Sequence, residues 1–265
     1  MKAIAILFLL GHILGDFYFQ TDRLAESKQS RQPALLQHCF LYAIAMVLVS
    51  IPFFSWKLFW AALLLGVLHC FVDECKFLFE KHHKTGKKLF LADQAIHLCC
   101  IVIVAGVLTG KTIFLQPMAW FQSFEAVFGI PIFSVIAWLT LLLVNYKPAG
   151  ITVFRLIGDM KPEDKEEPEK NAGRWIGLLE RLLMMIFLVL DQFAAIGLVL
   201  TAKSIARYDR ISKDQQFAEY YLLGTLLSTL IAVVSNIFRK FIFVRQLIAH
   251  YPAGSLFASS LVETR

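Results

Sequence analysis

Charge is scarce in this sequence: 17% of its 265 residues are Asp, Glu, Lys or Arg, against 58% hydrophobic, and the mean hydropathy is +0.64. A soluble domain carries about 25% charged residues, so the composition excludes a water-facing globule and makes lipid the main solvent. A disulfide framework is also lacking. The cysteines (Cys39, Cys70, Cys75, Cys99, Cys100) lie inside or beside apolar stretches, where a thiol behaves as a small hydrophobe. No small-residue cleavage site follows Lys2 and the apolar run 3–10, and His12 and Asp16 come directly after it. The start is therefore read as a retained helix and not as a signal peptide. No internal repeat is visible. The net charge of +6 and the pI of 9.1 do not indicate nucleic acid, because Lys and Arg fall in short segments between apolar runs, where they act as orientation signals.

What is present is a series of apolar runs, each of the roughly 20 residues that cross a bilayer. Candidate spans cover 3–20, 35–54, 58–80, 89–108, 128–146, 175–200 and 217–238. The expected fold is all-α, a polytopic transmembrane helical bundle of about seven spans. Residues 112–127, with Gln116, Pro117, Gln122 and Glu125, make a poor span and read as an interfacial or re-entrant helix. Basic residues crowd the connections after span one (Arg23, Lys28, Arg31), span three (Lys81, Lys84, Lys87, Lys88) and span five (Lys147 onward to Arg174). The positive-inside rule then puts the amino terminus outside and the tail, with Arg239, Lys240 and Arg245, inside. Lys203, Arg207, Arg210 and Lys213 oppose this, so the loop after span six has a specific role or the span count is off by one. The stretch MKPEDKEEPEK at 160–170 has the composition of a solvated linker. It suggests three parts: a five-span unit at 1–150, a polar cytoplasmic linker at 151–174, and a two-span unit with a basic tail at 175–265.

Ionisable residues inside a span are costly and mark function by default. Span one holds His12 and Asp16, span three His69 and Asp73, span four Asp93 and His97. A spacing of four puts each pair on one helix face. Gln20 ends span one, Gln37 and His38 open span two, Lys76 follows Asp73, and Gln94 follows Asp93. Successive spans run in opposite directions, so these ends and beginnings meet at one depth, which the charge rule makes cytoplasmic. Imidazole and carboxylate suit one or two divalent ions, with Zn favoured and Mn or Fe as alternatives. The expected metal ligands are His12, Asp16, His38, His69, Asp73 and His97, with His38 also able to support the ligands from outside. Asp93 is expected as ligand or base, and Lys76 is expected to steady an anion. The competing reading is a structural polar network. His82 and His83 read as solvated loop residues, Gly15 as a close-packing glycine, and Tyr42 as an aromatic hydrogen-bonder. In the carboxyl-terminal unit, Arg174, Glu180, Arg181, Lys203, Arg207 and Glu219 read as structural ion pairs. Asp191 is expected to bond Ser228 or Thr229, or to serve as a proton site.

HILGDFYFQT from His12, HCFVDECK from His69 and DQAIHL from Asp93 resemble an uncharacterised bacterial membrane-protein family catalogued as domain of unknown function 3307. The resemblance covers about residues 1–110. GRWIGLLERLL, AKSIAR and FAEYYLLGT are similar to longer members. It implies a multi-pass protein of the bacterial inner membrane and carries no established activity. Polar helix ends bearing His and Asp resemble, in style, membrane-bound metal-dependent hydrolases. The expected function is an intramembrane metal-dependent hydrolase acting on a lipid or lipid-linked substrate at the cytoplasmic leaflet. The alternatives are a metal-ion or proton-coupled transporter and a non-catalytic assembly or regulatory subunit.

Overall fold

A computed structural model describes residues 2–83, 86–109, 115–162 and 172–250, without the side chains of 172 and 243–250. Lys84, Lys111, the core of the polar stretch at 163–170 and the end of the tail lie outside the described residues. The described chain is helical with no strand: α1 (Lys2–Ile13), α2 (Asp22–Ser27), α3 (Gln32–Ser50), α4 (Trp56–Glu80), α5 (Lys87–Thr109), α6 (Ala119–Phe128), α7 (Ile132–Ile157), α8 (Ala172–Val189), α9 (Phe193–Ala206), α10 (Tyr208–Lys213) and α11 (Gln215–His250). Five helices are long and apolar enough to cross a membrane: Gln32–Phe53, Trp56–Glu80, Lys87–Thr109, Ile132–Met160 and Gln215–Ile242. At 1.5 Å per residue each is longer than the roughly 30 Å hydrocarbon core. Large apolar side chains such as Phe40, Trp60, Val67, Phe71, Val102 and Ile103 point outward, a surface suited to lipid. The chain is an all-α membrane helical bundle.

Two compact units divide it, Met1–Asp159 and Met160–Arg265. In the first, α1 is apolar all round and packs against α3, α5 and α7. Leu7 and Phe8 are fully buried. Gly11 and Gly15 let α1 approach α3: a Cβ would come within 2.7 Å of Met46 Sδ at Gly11, and within 2.7 Å of the Tyr42 ring at Gly15. After Ile13 the chain widens into a π-turn, Leu14–Tyr18, closed by the Phe19 N–H donating to Leu14 O at 2.8 Å. Such i→i+5 turns occur often at functional positions. The Thr21 hydroxyl caps α2 by accepting the Leu24 N–H, and Ser55 caps α4 by accepting the Leu58 N–H, both at 3.2 Å. Pro148 lies inside α7, which runs on to Ile157, so residues 151–157 are helix and not linker. The ambiguous stretch contains the short α6, which buries none of its residues and ends on Gly129 at φ 66°.

The second unit corrects span six. Instead of one helix over 175–200, α8 stops at Val189 and α9 starts at Phe193. Asp191 sits at φ 54°, and the Gln192 N–H donates to Phe187 O at 2.8 Å. This is the six-to-one closure of a Schellman cap, with Asp where glycine is usual. Asp191 does not reach Ser228 or Thr229 as expected. Its carboxylate takes the Lys240 ammonium at 3.1 Å, and Ser228 accepts from Arg181 at 3.2 Å. The break turns Asp191 outward, leaving its side chain 63% exposed.

Candidate metal centre

Antiparallel packing in Met1–Asp159 brings the helix ends to one depth. Asp73 lies seven residues before the end of α4 and Asp93 six after the start of α5, so both sit about 10 Å inside their helices. His38 joins them from the second turn of α3, and His12 and Asp16 from the end of α1 and its π-turn. All seven imidazoles and carboxylates are buried, none more than 6% exposed.

The donor atoms face one another. His38 Nε2 is 3.1 Å from His69 Nε2, 3.3 Å from Asp16 Oδ1 and 3.4 Å from Asp73 Oδ2. His69 Nε2 is 3.6 Å from Asp73 Oδ2. His97 Nε2 is 3.3 Å from Asp73 Oδ1 and 3.5 Å from Asp93 Oδ1. Two triads, Asp16–His38–His69 and His69–Asp73–His97, each keep their ligand atoms within 4.8 Å of one another. Ligands at about 2.0–2.1 Å from a tetrahedral ion lie about 3.3 Å apart, so the edges of the cluster fit a divalent cation. They fit a hydrogen-bonded network less well. Charge-assisted N–H···O bonds run at about 2.7–2.9 Å, and the imidazole–carboxylate contacts are all longer.

Neutral groups hold the ligands in place. The Gln94 amide donates to Asp16 Oδ2 at 2.8 Å and to Asp93 Oδ2 at 3.3 Å, while its carbonyl faces His12 Nε2 at 3.3 Å. His12 Nε2 must therefore carry the proton, which leaves Nδ1 to accept from the Tyr42 hydroxyl at 3.3 Å. The Tyr42 ring stacks on His69 with centroids 3.6 Å apart and planes 4° from parallel. Among the described residues the Nδ1 atoms of His38 and His69 have no hydrogen-bond partner, so these rings are oriented by packing and by their Nε2 contacts alone. Lys76 donates to Asp93 Oδ2 at 3.0 Å.

Every expected site residue thus stands in or beside the cluster, with different placements. Asp16, His38, His69, Asp73 and His97 supply the converging atoms. Asp93 reaches His97 at the far side, and its Oδ1 is buried without a hydrogen-bond partner. His12 was expected as a ligand, but both its ring nitrogens face neutral hydrogen-bonding groups. Two contributions went unread in the sequence. Gln94 bridges three of the site residues, a role that its place beside Asp93 does not announce. Lys28 reads in the sequence only as an orientation signal, yet its ammonium lies 3.5 Å from Asp16 Oδ1 and 3.6 Å from Asp73 Oδ2.

Residues 4–126 match the family described as "Protein of unknown function (DUF3307)". These residues belong to that family. The match takes in α2 to α5, almost all of α1, and so every residue of the cluster. No curated protein and no solved structure matches the chain.

Proposed function

We propose that the protein is an intramembrane metal-dependent hydrolase acting on a lipid or lipid-linked substrate. The observation that carries this reading is the convergence of buried imidazole nitrogens and carboxylate oxygens, whose contacts of 3.3–3.6 Å are longer than charge-assisted hydrogen bonds and match the ligand edges of a divalent ion. Imidazole and carboxylate together suit Zn, with Mn or Fe as alternatives. An ion held by Asp16, His38 and His69, with Asp73 alongside, would lower the pKa of a water toward neutrality. A carboxylate of the cluster would take that water's proton as its oxygen attacked the substrate's phosphorus or carbonyl carbon, and would return the proton to the leaving oxygen as the bond to it broke. Lys76 stands beside Asp93 to steady the developing anion.

Depth supports a lipid substrate, since a site about 10 Å inside membrane-length helices lies at a level that molecules in the bilayer occupy. The basic residues Arg23, Lys28, Arg31, Lys81, Lys87 and Lys88 belong to the connections at that end, which favours the cytoplasmic leaflet of a bacterial inner membrane. The transporter reading has an observation against it. From the cluster toward the other end, the core is built of Ile4, Leu7, Phe8, Val49, Phe53, Leu58, Ala62, Leu65, Val104 and Ala105. Of the buried hydroxyls there, Ser50 is tied to Met46 O at 2.8 Å and Thr140 to Ile136 O at 2.7 Å. Among the described residues, an ion would meet no chain of ligands along that route.

The test is hydrolysis by the full chain reconstituted in liposomes of total bacterial lipid, supplied with Zn, Mn or Fe and followed by mass spectrometry of the lipids. Cleavage products that vanish on chelation and with Asp73→Asn are expected. Products that are absent with every metal, or unchanged by Asp73→Asn, would contradict the reading.

A further inference from the structure

Lys28 is the one cation of the cluster that does not come from a membrane-length helix. It follows α2, the six-residue helix between α1 and α3, and its side chain is 15% exposed. Its ammonium rests between Asp16 Oδ1 and Asp73 Oδ2, at 3.5 and 3.6 Å. These are the oxygens that also face His38 Nε2, so the lysine and a divalent ion would draw on the same negative charge. Lys76 differs: it contacts Asp93 Oδ2 at 3.0 Å, and Asp93 belongs to neither triad.

We infer that Lys28 is a displaceable cation that holds Asp16 and Asp73 until a divalent ion takes them, and that it then becomes the residue that binds the anionic group of the substrate. The inference rests on the metal reading above and adds the substrate's charge. Two positive charges on one carboxylate oxygen repel, and the ion brings twice the charge of the ammonium and makes direct bonds. The ammonium is the partner that can leave, because it sits at a partly exposed connection and its four-carbon stem can swing without breaking a helix. Once released, it stands at the rim of the ion with a free charge, on the same side of the protein as Arg23 and Arg31. A phosphate-bearing substrate would complete that arrangement, whereas a neutral ester would leave the lysine unpartnered.

Amine acetylation of the full-length protein in phosphatidylcholine nanodiscs, read residue by residue by mass spectrometry, tests this while bound metal is counted in the same samples. Adding Zn2+ should raise acetylation of Lys28 at least severalfold and leave Lys76 unchanged. Inorganic phosphate, or phosphatidic acid in the nanodisc, should then lower Lys28 acetylation again. Protection by phosphatidic acid alone identifies a lipid headgroup, and protection by inorganic phosphate identifies the free anion. Lys28→Met should bind Zn2+ about tenfold more tightly in competition with a chelator. If Zn2+ binds but Lys28 acetylation and affinity do not change, the displacement is wrong and the metal reading stands. If Lys28 is released but neither phosphate source protects it, the anion role falls. If no Zn2+ is retained, both this inference and the metal reading fall together.

Discussion

In Met1–Asp159 the buried carboxylates Asp16, Asp73 and Asp93 share two lysines and the three imidazoles of His38, His69 and His97, and their shortest imidazole contacts are 3.3 Å. In Met160–Arg265, Glu180 and Asp191 each hold a lysine of their own, at 2.7 and 3.1 Å. The first arrangement has more ligand atoms than protons can link at good hydrogen-bond length. The second consists of closed pairs. Burial alone does not separate them, since Arg181 is as enclosed as several cluster residues and Glu180 is also buried. The difference lies in whether donor and acceptor are matched one to one, which is how a structural ion pair differs from a candidate ligand set.

Replacing one charged member on each side should break the comparison most sharply. Asp73→Asn keeps volume and most hydrogen bonding but removes charge, so metal affinity should fall by about 10- to 100-fold or more. Its thermal unfolding in detergent should move little, because a polar contact between membrane helices is worth only about 0.6 kcal/mol on average. Glu180→Gln should give the opposite pattern, with metal content intact and a loss of stability from the unpaired Lys203. Metal loss in the Glu180 variant, or a collapse of Asp73→Asn without any change in metal, would erase the distinction.

A smaller effect tests the packing that holds the cluster. Gly15→Ala places a methyl group 2.7 Å from Tyr42 Cδ2 and 3.0 Å from Tyr42 Cα, and the latter is backbone that cannot turn aside. The variant should lose about 1–3 kcal/mol of stability and weaken metal binding, because Tyr42 stacks on His69. Wild-type melting and metal retention would show that α1 and α3 are not in such close contact.

The smallest effect concerns the break between α8 and α9. Glycine fits the left-handed backbone at Asp191, and the exposed pair with Lys240 contributes little, so Asp191→Gly should be neutral or stabilising by up to about 1 kcal/mol. In an unbroken helix over 175–200 the same change would cost about 0.3 kcal/mol, the difference between Gly and Asp in helix propensity. The sign of the shift in melting temperature decides between them.

How much of this could be read from the sequence follows from what is local. Three His/Asp pairs spaced by four on α1 with its π-turn, α4 and α5, together with His38 on α3, all at alternating ends of apolar runs, were sufficient to bring the cluster together, because helix period and antiparallel order need no further information. Gly15 was legible as a packing glycine for the same reason. Lys28 was not, since a lysine in a basic connection looks like any other until α2 folds it back over Asp16 and Asp73. His12 has the spacing of a ligand, but which groups its nitrogens meet depends on Gln94 and Tyr42 from other helices. The break at Asp191 was hidden because the sequence lacks the glycine that usually marks a Schellman cap.

Elemental analysis of the purified full-length protein, wild type against His69→Ala, tests the central claim most directly, since His69 belongs to both triads. The cluster should retain at least one divalent ion per wild-type chain after dialysis, and the variant should lose it while still unfolding cooperatively in detergent. A wild-type protein without stoichiometric metal, or equal metal in the two proteins, would contradict the account.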